Sequence, residues 1–203
     1  MASVQKFTQA AVVNQLRHVL RETQNPGNED INPTRTKDNY TLSPDRGMSA
    51  YSYYKERKGQ LYCHGRADVK PLAGWICTAP RDLPAEQHRA FFDETYRFLE
   101  NRYGKENTVL AVVHQDESGQ PHLHFDFIPA VDDLKHGGQK ICANDVLNRA
   151  ELRDFHPAWE KHLKDAGINA GVLNGATAAG NRTVKQLKQE REHTRRYERG
   201  VTF

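Results

Sequence analysis

No run in the 203 residues is long and apolar enough to cross a membrane. The first residues, MASVQKFTQAAVVNQL, lack the apolar stretch and small-residue cleavage site of a secretory signal. These two absences lead us to expect a cytoplasmic chain. Cysteine is scarce: Cys63, Cys77 and Cys142 stand far apart without a CxxC spacing, so no disulfide framework is indicated and reduced thiols are expected. An HExxH sequence is also missing, which argues against a metalloprotease. Strong net charge is absent too. The formal total is +3, and seven basic against three acidic residues from Arg182 to Phe203 give that segment +4, leaving residues 1–181 at −1. Global charge therefore neither supports nor excludes a nucleic-acid partner, and any phosphate contact in the main body must come from a local patch.

What is present suggests one domain with an appended segment. Ala11, Val12, Leu16, Val19 and Leu20 recur at helical spacing, predicting a helix over about 8–23 that Asn25-Pro26-Gly27-Asn28 stops. The polar stretch to Tyr54 reads as ordered loop with a short strand near Tyr40 to Leu42. Trp75 to Thr78 reads as a strand, Pro84 opens a helix ending at Tyr103-Gly104, and Thr108 to His114 is a buried strand. A polar turn leads to another strand over His122 to Ile128, so the two form an antiparallel hairpin. Lys140 to Cys142 is a candidate edge strand, and a helix spans Arg149 to Asp165, kinked or restarted near Pro157. The fold class expected is α+β, an antiparallel sheet with helices packed on it. Residues 1–181 are expected to form the domain, and residues 182–203 a basic helix that begins a longer C-terminal region.

The sharpest signal is His114-Gln-Asp116-Glu117-Ser-Gly-Gln-Pro-His122-Leu-His124. Side chains alternate along a strand, so His122 and His124 share a face, and His114 can join them across the hairpin. Three imidazoles converging with an open side suit a catalytic divalent metal; zinc, manganese, nickel and cobalt all accept imidazole nitrogen. Ordinary hairpin histidines are the bland alternative, and three of them with two acids in eleven residues outweigh it. Asp116 and Glu117 read as extra ligands, orienters of a ligand histidine, a proton acceptor, or plain turn residues. The other histidines have no partner spacing and are expected to be exposed or capping.

Several separated blocks resemble the Mob/Pre family of relaxases, the MobV class of mobilization proteins. They are Arg17-His18-Val-Leu-Arg21-Glu22, then Asp30-Ile-Asn-Pro-Thr-Arg35 with Asn39-Tyr40, then Arg66 with Trp75-Ile76, and finally the His114–His124 segment after Asn101-Arg-Tyr-Gly104. The chain departs from the family spacing by one extra residue in the turn over Ser118-Gly119-Gln120, where strand register is unaffected. The resemblance implies the metal-histidine (HUH) fold shared with rolling-circle nucleases. It implies nicking and rejoining of DNA at a plasmid or mobile-element transfer origin, read as a hairpin plus single strand. It further implies His18 as nucleophile through a covalent 5′-phosphohistidine, with His114, His122 and His124 holding manganese or magnesium. Without that pattern, His18 would read as an ordinary helix histidine.

In such a reaction Glu117 or Asp116 would take the proton from the attacking imidazole. Arg21, expected one helical turn from His18 on the same face, would reach the same phosphate. Arg35, Arg66, Asn39 and Tyr40 are candidates for DNA contact, with Tyr40 the rival nucleophile. Partners implied are transfer-origin DNA, conjugation coupling machinery and a second copy of the chain through further C-terminal sequence. Two rivals stand beside this reading. A rolling-circle replication initiator places a nucleophilic tyrosine on a helix after the histidines, whereas only Tyr197 follows them here, in a polar tail. A non-catalytic DNA-binding protein with a structural metal would fill the fourth ligand position with cysteine or histidine, and Cys142 lacks a pairing motif.

Overall fold

The computed structural model of the chain describes residues 1–23, 28, 30–135 and 137–173. The basic helix expected over 182–203 lies outside the described residues. In chain order the elements are β1 (Ala2–Phe7), α1 (Val12–Val19), β2 (Tyr40–Thr41), α2 (Ala50–Gly59), β3 (Leu72–Thr78), α3 (His88–Tyr103), β4 (Thr108–His114), β5 (His122–Phe127), β6 (Ala130–Asp132), β7 (Gln139–Ile141), α4 (Ala143–Val146) and α5 (Arg149–Asp165). Five strands form one open antiparallel sheet in the order β1-β3-β5-β4-β2, and β6 and β7 form a separate hairpin.

Strand alternation divides the sheet into two faces with different chemistry. Leu123, Phe125 and Phe127 of β5 point to one side, where Phe91, Phe92 and Leu99 of α3 and Phe155, Trp159 and Leu163 of α5 bury them. Trp75 stacks on Phe155 at 3.6 Å between ring centroids, and its indole N–H donates to the Tyr103 hydroxyl at 2.8 Å. α5 continues through Pro157 as one helix, so it does not restart there. Its three buried apolar side chains, at roughly 1.5–3 kcal/mol each, match or exceed the roughly 3 kcal/mol that an interior proline costs.

The other face carries His122, His124 and Asp126 of β5, with His114, Val112 and Leu110 opposite them on β4 and Thr78, Ile76 and Gly74 on β3. α1 lies across this face on Val12, Leu16 and Val19, sharing a second core with Leu72, Leu110, Val112 and Tyr54 of α2. Because β5 is the central strand, its polar residues sit in the middle of the sheet. Its HLHFDF sequence is thus amphipathic in an unusual sense: one face is apolar core and the other is a buried polar site.

Several elements differ from the sequence expectation. β1 pairs with β3 along its whole length, Ala2 opposite Cys77 through Phe7 opposite Leu72. α2 replaces part of the expected loop, and Ser49 caps it by accepting the Ser52 N–H. The helix over 8–23 is shorter than expected, a 3-10 turn over Gln9–Ala11 followed by α1. The three cysteines are unpaired, in line with the reduced thiols expected.

Candidate active site

Register places the three hairpin histidines together. His114 stands directly opposite His122 across β4 and β5, and His124 follows two residues along on the same face. Their ring centroids are separated by 5.4 Å (His114–His122), 4.5 Å (His114–His124) and 5.0 Å (His122–His124). One nitrogen from each ring lies within 4.8 Å of the others, close enough to share one ion.

His114 carries the clearest sign of what the cluster holds. Its Nε2 lies 2.8 Å from the backbone carbonyl oxygen of Val19. A carbonyl can only accept, so Nε2 carries the hydrogen and Nδ1 carries the lone pair. That Nδ1 is buried and has no hydrogen-bond partner. A buried, unpartnered acceptor among two further imidazoles fits a metal ligand, oriented through its other nitrogen as ligand histidines ordinarily are. Burial lowers the His114 pKa to about 4 and drives His124 well below its ordinary value, keeping both lone pairs available.

His18 stands over this cluster from the last turn of α1. Its ring centroid is 5.7 Å from that of His124 and 6.4 Å from that of His114, edge-on to both. Its pKa is lowered, first by burial and then by the Arg21 guanidinium, so the ring is neutral. The last-turn location follows from the amphipathic spacing: Val12, Leu16 and Val19 face the sheet, and His18 borders that stripe.

Arg21 does not continue the helix, which corrects the expectation that it lies one helical turn from His18 on a shared face. α1 ends at Val19, and Arg21 adopts φ 58°, the left-handed conformation. The Arg21 N–H donates to the His18 carbonyl at 3.2 Å and the Glu22 N–H to the Arg17 carbonyl at 2.9 Å. This is a Schellman helix end with arginine where glycine is usual. The turn carries the guanidinium onto the loop between β4 and β5. Nε and Nη2 bind the two oxygens of Asp116 at 2.9 and 2.8 Å, and Nη2 also binds Glu117 Oε1 at 2.7 Å. Asp116 is fully buried. Burial alone would raise its pKa, but the Arg21 guanidinium and the Thr36 hydroxyl at 3.0 Å outweigh that, holding it well below the usual carboxylate range. Glu117 is less enclosed and reaches to 3.8 Å from His122 Nε2. The same loop is tied to the segment before it: the Asn32 N–H donates to the Asp116 carbonyl at 2.7 Å and the Ser118 N–H to the Asp30 carbonyl at 3.1 Å.

The remaining candidates divide. Asn39 joins the edge of the site, its Oδ1 accepting the Gln115 N–H at 2.7 Å. Tyr40 is not brought to the histidines: opposite Val113, it packs against the core under α3 and is covered by the Arg89 guanidinium at 4.5 Å. Burial raises its hydroxyl pKa to about 12. Arg35 is exposed on a 3-10 turn. Arg66 is also exposed, pairs with Asp68 at 3.3 Å, and lines a groove with Lys58 and His64 apart from the histidine cluster. Sequence reasoning missed Gln15 and Asp126. Gln15 Nε2 donates to Asp126 Oδ1 at 3.1 Å, beside His18 on one element and His124 on the other. The alternation His122, His124, Asp126 was the available signal.

An open antiparallel sheet bearing three convergent histidines on a helix-covered face defines the HUH class of metal-histidine fold, that of the relaxases. The chain belongs to the plasmid recombination enzyme family (Mob/Pre), which it matches over residues 1–198. It is 31% identical over 187 residues to a plasmid recombination enzyme type 3 of Staphylococcus aureus, covering 87% of this chain and 44% of the relative. A plasmid recombination enzyme of Lactiplantibacillus plantarum is 30% identical over 189 residues, 89% of this chain and 50% of that protein. The chain thus spans about half the length of these curated relatives. Among solved structures, the Mn-bound MobM relaxase domain in complex with plasmid pMV158 oriT DNA superposes with a TM-score of 0.74 at 28% identity, covering 94% of this chain and 97% of that one.

Proposed function

We propose that this chain nicks and rejoins one strand of DNA at a plasmid or mobile-element transfer origin, with His18 as the covalent nucleophile. The observation that carries the reading is the His18 imidazole standing 5.7 Å, ring to ring, from His124 in a cluster of three histidines suited to a metal. The MobM relaxase domain, bound to oriT DNA and manganese, supports the choice of substrate and ion.

His18 presents a neutral ring nitrogen to the scissile phosphorus. A P–N bond forms, the P–O3′ bond breaks, and the departing oxygen takes a proton from solvent to leave a 3′-hydroxyl. The hydrogen on the second ring nitrogen becomes acidic on attack, and Glu117 accepts it. Asp116 is the poorer acceptor, because its oxygens are already committed to Arg21 and Thr36. Arg21 serves as a positioning residue, holding Glu117 toward the cluster while its turn ends α1 next to His18. A divalent ion held by His114, His122 and His124 would polarise a non-bridging phosphate oxygen and offset the charge that develops there. Keeping the phosphate on the protein conserves the energy of the broken ester for rejoining without ATP.

The test offers the chain tiled single-stranded oligonucleotides from the DNA flanking its gene, with manganese. Nicking at one position, absent in His18→Ala and restored by no other tyrosine or histidine, is the expected outcome. Binding without cleavage of any oligonucleotide would overturn the reading in favour of a non-catalytic metal protein.

A further inference from the structure

A cavity of about 220 Å3 opens beside His18, lined by Gln5, Phe7, Gln15, His18, Gly74, Ile76 and His124 and by none of Arg21, Asp116 and Glu117. It is smaller than ordinary small-molecule pockets, roughly 300–1,000 Å3, so it holds a single ring system rather than a whole nucleotide. Two of its walls are the proposed nucleophile and a metal-binding histidine. Whatever occupies it therefore lies next to the scissile phosphate.

Gly74 lets the Asp126 side chain pack against this wall: a Cβ there would stand 2.3 Å from Asp126 Oδ1 and 3.2 Å from Phe7 Cε2. Phe7 contributes an aromatic ring to the lining, and bases stack on aromatic side chains at roughly 1–3 kcal/mol each.

Its polar wall is held in one orientation. Asp126 is fully buried, and Gln15 Nε2 lies 3.1 and 3.3 Å from its two oxygens. With Nε2 engaged by both Asp126 oxygens, Oε1 is the amide group left to accept from an occupant of the cavity. A glutamine free to rotate accepts or donates as the partner requires; one locked by a buried acid discriminates.

We propose that this cavity receives the base of a nucleotide flanking the scissile phosphate, and that Gln15, locked by Asp126, selects that base. The proposal rests on the nicking reading above. A bidentate side-chain pair on a base edge discriminates by roughly 1–3 kcal/mol; a single amide acceptor falls in the lower part of that range, about 1.4 kcal/mol, which is tenfold in relative rate.

The experiment starts from the nicked oligonucleotide identified with the tiled set. Each nucleotide flanking the nick is replaced by the other three bases and by an abasic residue, and nicking rates are compared for wild type, Gln15→Met and Asp126→Asn. Ratios between bases are internal to each preparation, so a variant with a smaller folded fraction still reports them. The expected result is a roughly tenfold preference at one flanking position that collapses in Gln15→Met and weakens in Asp126→Asn. Unchanged ratios in both variants, or equal nicking of abasic and native substrates at both positions, would overturn the cavity proposal while leaving nicking intact. Absence of nicking by wild type on every oligonucleotide would overturn the reading beneath it, and this proposal with it.

Discussion

The Nε2–H of His114 and the carbonyl of Val19 are joined by a 2.8 Å hydrogen bond that links the histidine cluster of the sheet to the end of the helix bearing His18. Carbonyls in the last turn of a helix have no partner within it. Here one such orphan group is satisfied by the residue whose other nitrogen is the proposed metal ligand. Docking of α1 and the tautomer of His114 are consequently the same event. A helix placed differently would leave both Val19 and His114 with unpaired buried atoms, each costing about 1–3 kcal/mol.

Loss of either ligand should therefore have distinguishable effects. Both His114→Ala and His122→Ala are expected to abolish the stabilisation that manganese gives the wild type, about 2.7 kcal/mol at a hundredfold excess over Kd. Without metal, His114→Ala should be the less stable of the two by about 1 kcal/mol, because only it strips the Val19 carbonyl. Urea unfolding with and without manganese measures both effects, and equal metal-free stabilities would contradict the linkage.

Arg21 occupies a glycine's place at the end of α1, with φ 58°. Left-handed backbone costs a side-chain-bearing residue about 1–2 kcal/mol, and the contacts to Asp116 and Glu117 offset it. Arg21→Ala keeps the strain and removes the clamp, leaving the buried Asp116 charge unpaired at about 3–5 kcal/mol. Arg21→Gly removes both. It is expected to be more stable than Arg21→Ala by about 1 kcal/mol in urea unfolding, yet as poor in nicking. An alanine variant as stable as the glycine variant would show that the turn is unstrained.

The buried groups also fix the direction of pH effects in metal-free protein. His114 falls from 6.5 to about 4 on folding, so the unfolded chain binds more protons between those values, and stability from this group rises with pH there. Asp126 rises from 3.8 to about 7 through burial, which the Gln15 hydrogen bond only partly offsets, so the folded chain binds more protons across that window and stability from it falls as pH rises. The two oppose one another. Asp126→Asn removes the falling contribution, so its stability relative to wild type should climb between pH 4 and 7, by at most about 4 kcal/mol. Parallel stability curves for wild type and variant would show Asp126 ionised throughout.

The hairpin of β4 and β5 was legible because its signals are local: a β-branched run, a polar turn, and an HxH alternation that fixes one face. The body of α1 was legible for the same reason, from Val12, Leu16 and Val19. Its end was not, because Arg21 takes a conformation ordinarily marked by glycine, and tertiary contacts with Asp116 hold it there. β1 has only Ala2, Val4 and Phe7 as apolar residues, and Phe7 breaks their alternation; its pairing with β3 makes it a strand. α2 buries Tyr54 alone, so it lacks an apolar stripe. Gln15 and Asp126, 111 positions apart, acquire meaning only when the sheet brings them together.

The most direct test is the identity of the residue that becomes attached to DNA. The nicked oligonucleotide is incubated with the chain and manganese, the adduct is digested under neutral conditions that spare P–N bonds, and the modified peptide is mapped by mass spectrometry. The expected result is a phosphoramidate on His18, absent in His18→Ala and in the absence of metal. A phosphate ester on Tyr40, or cleavage with no adduct at all, would contradict the assignment of His18 as nucleophile.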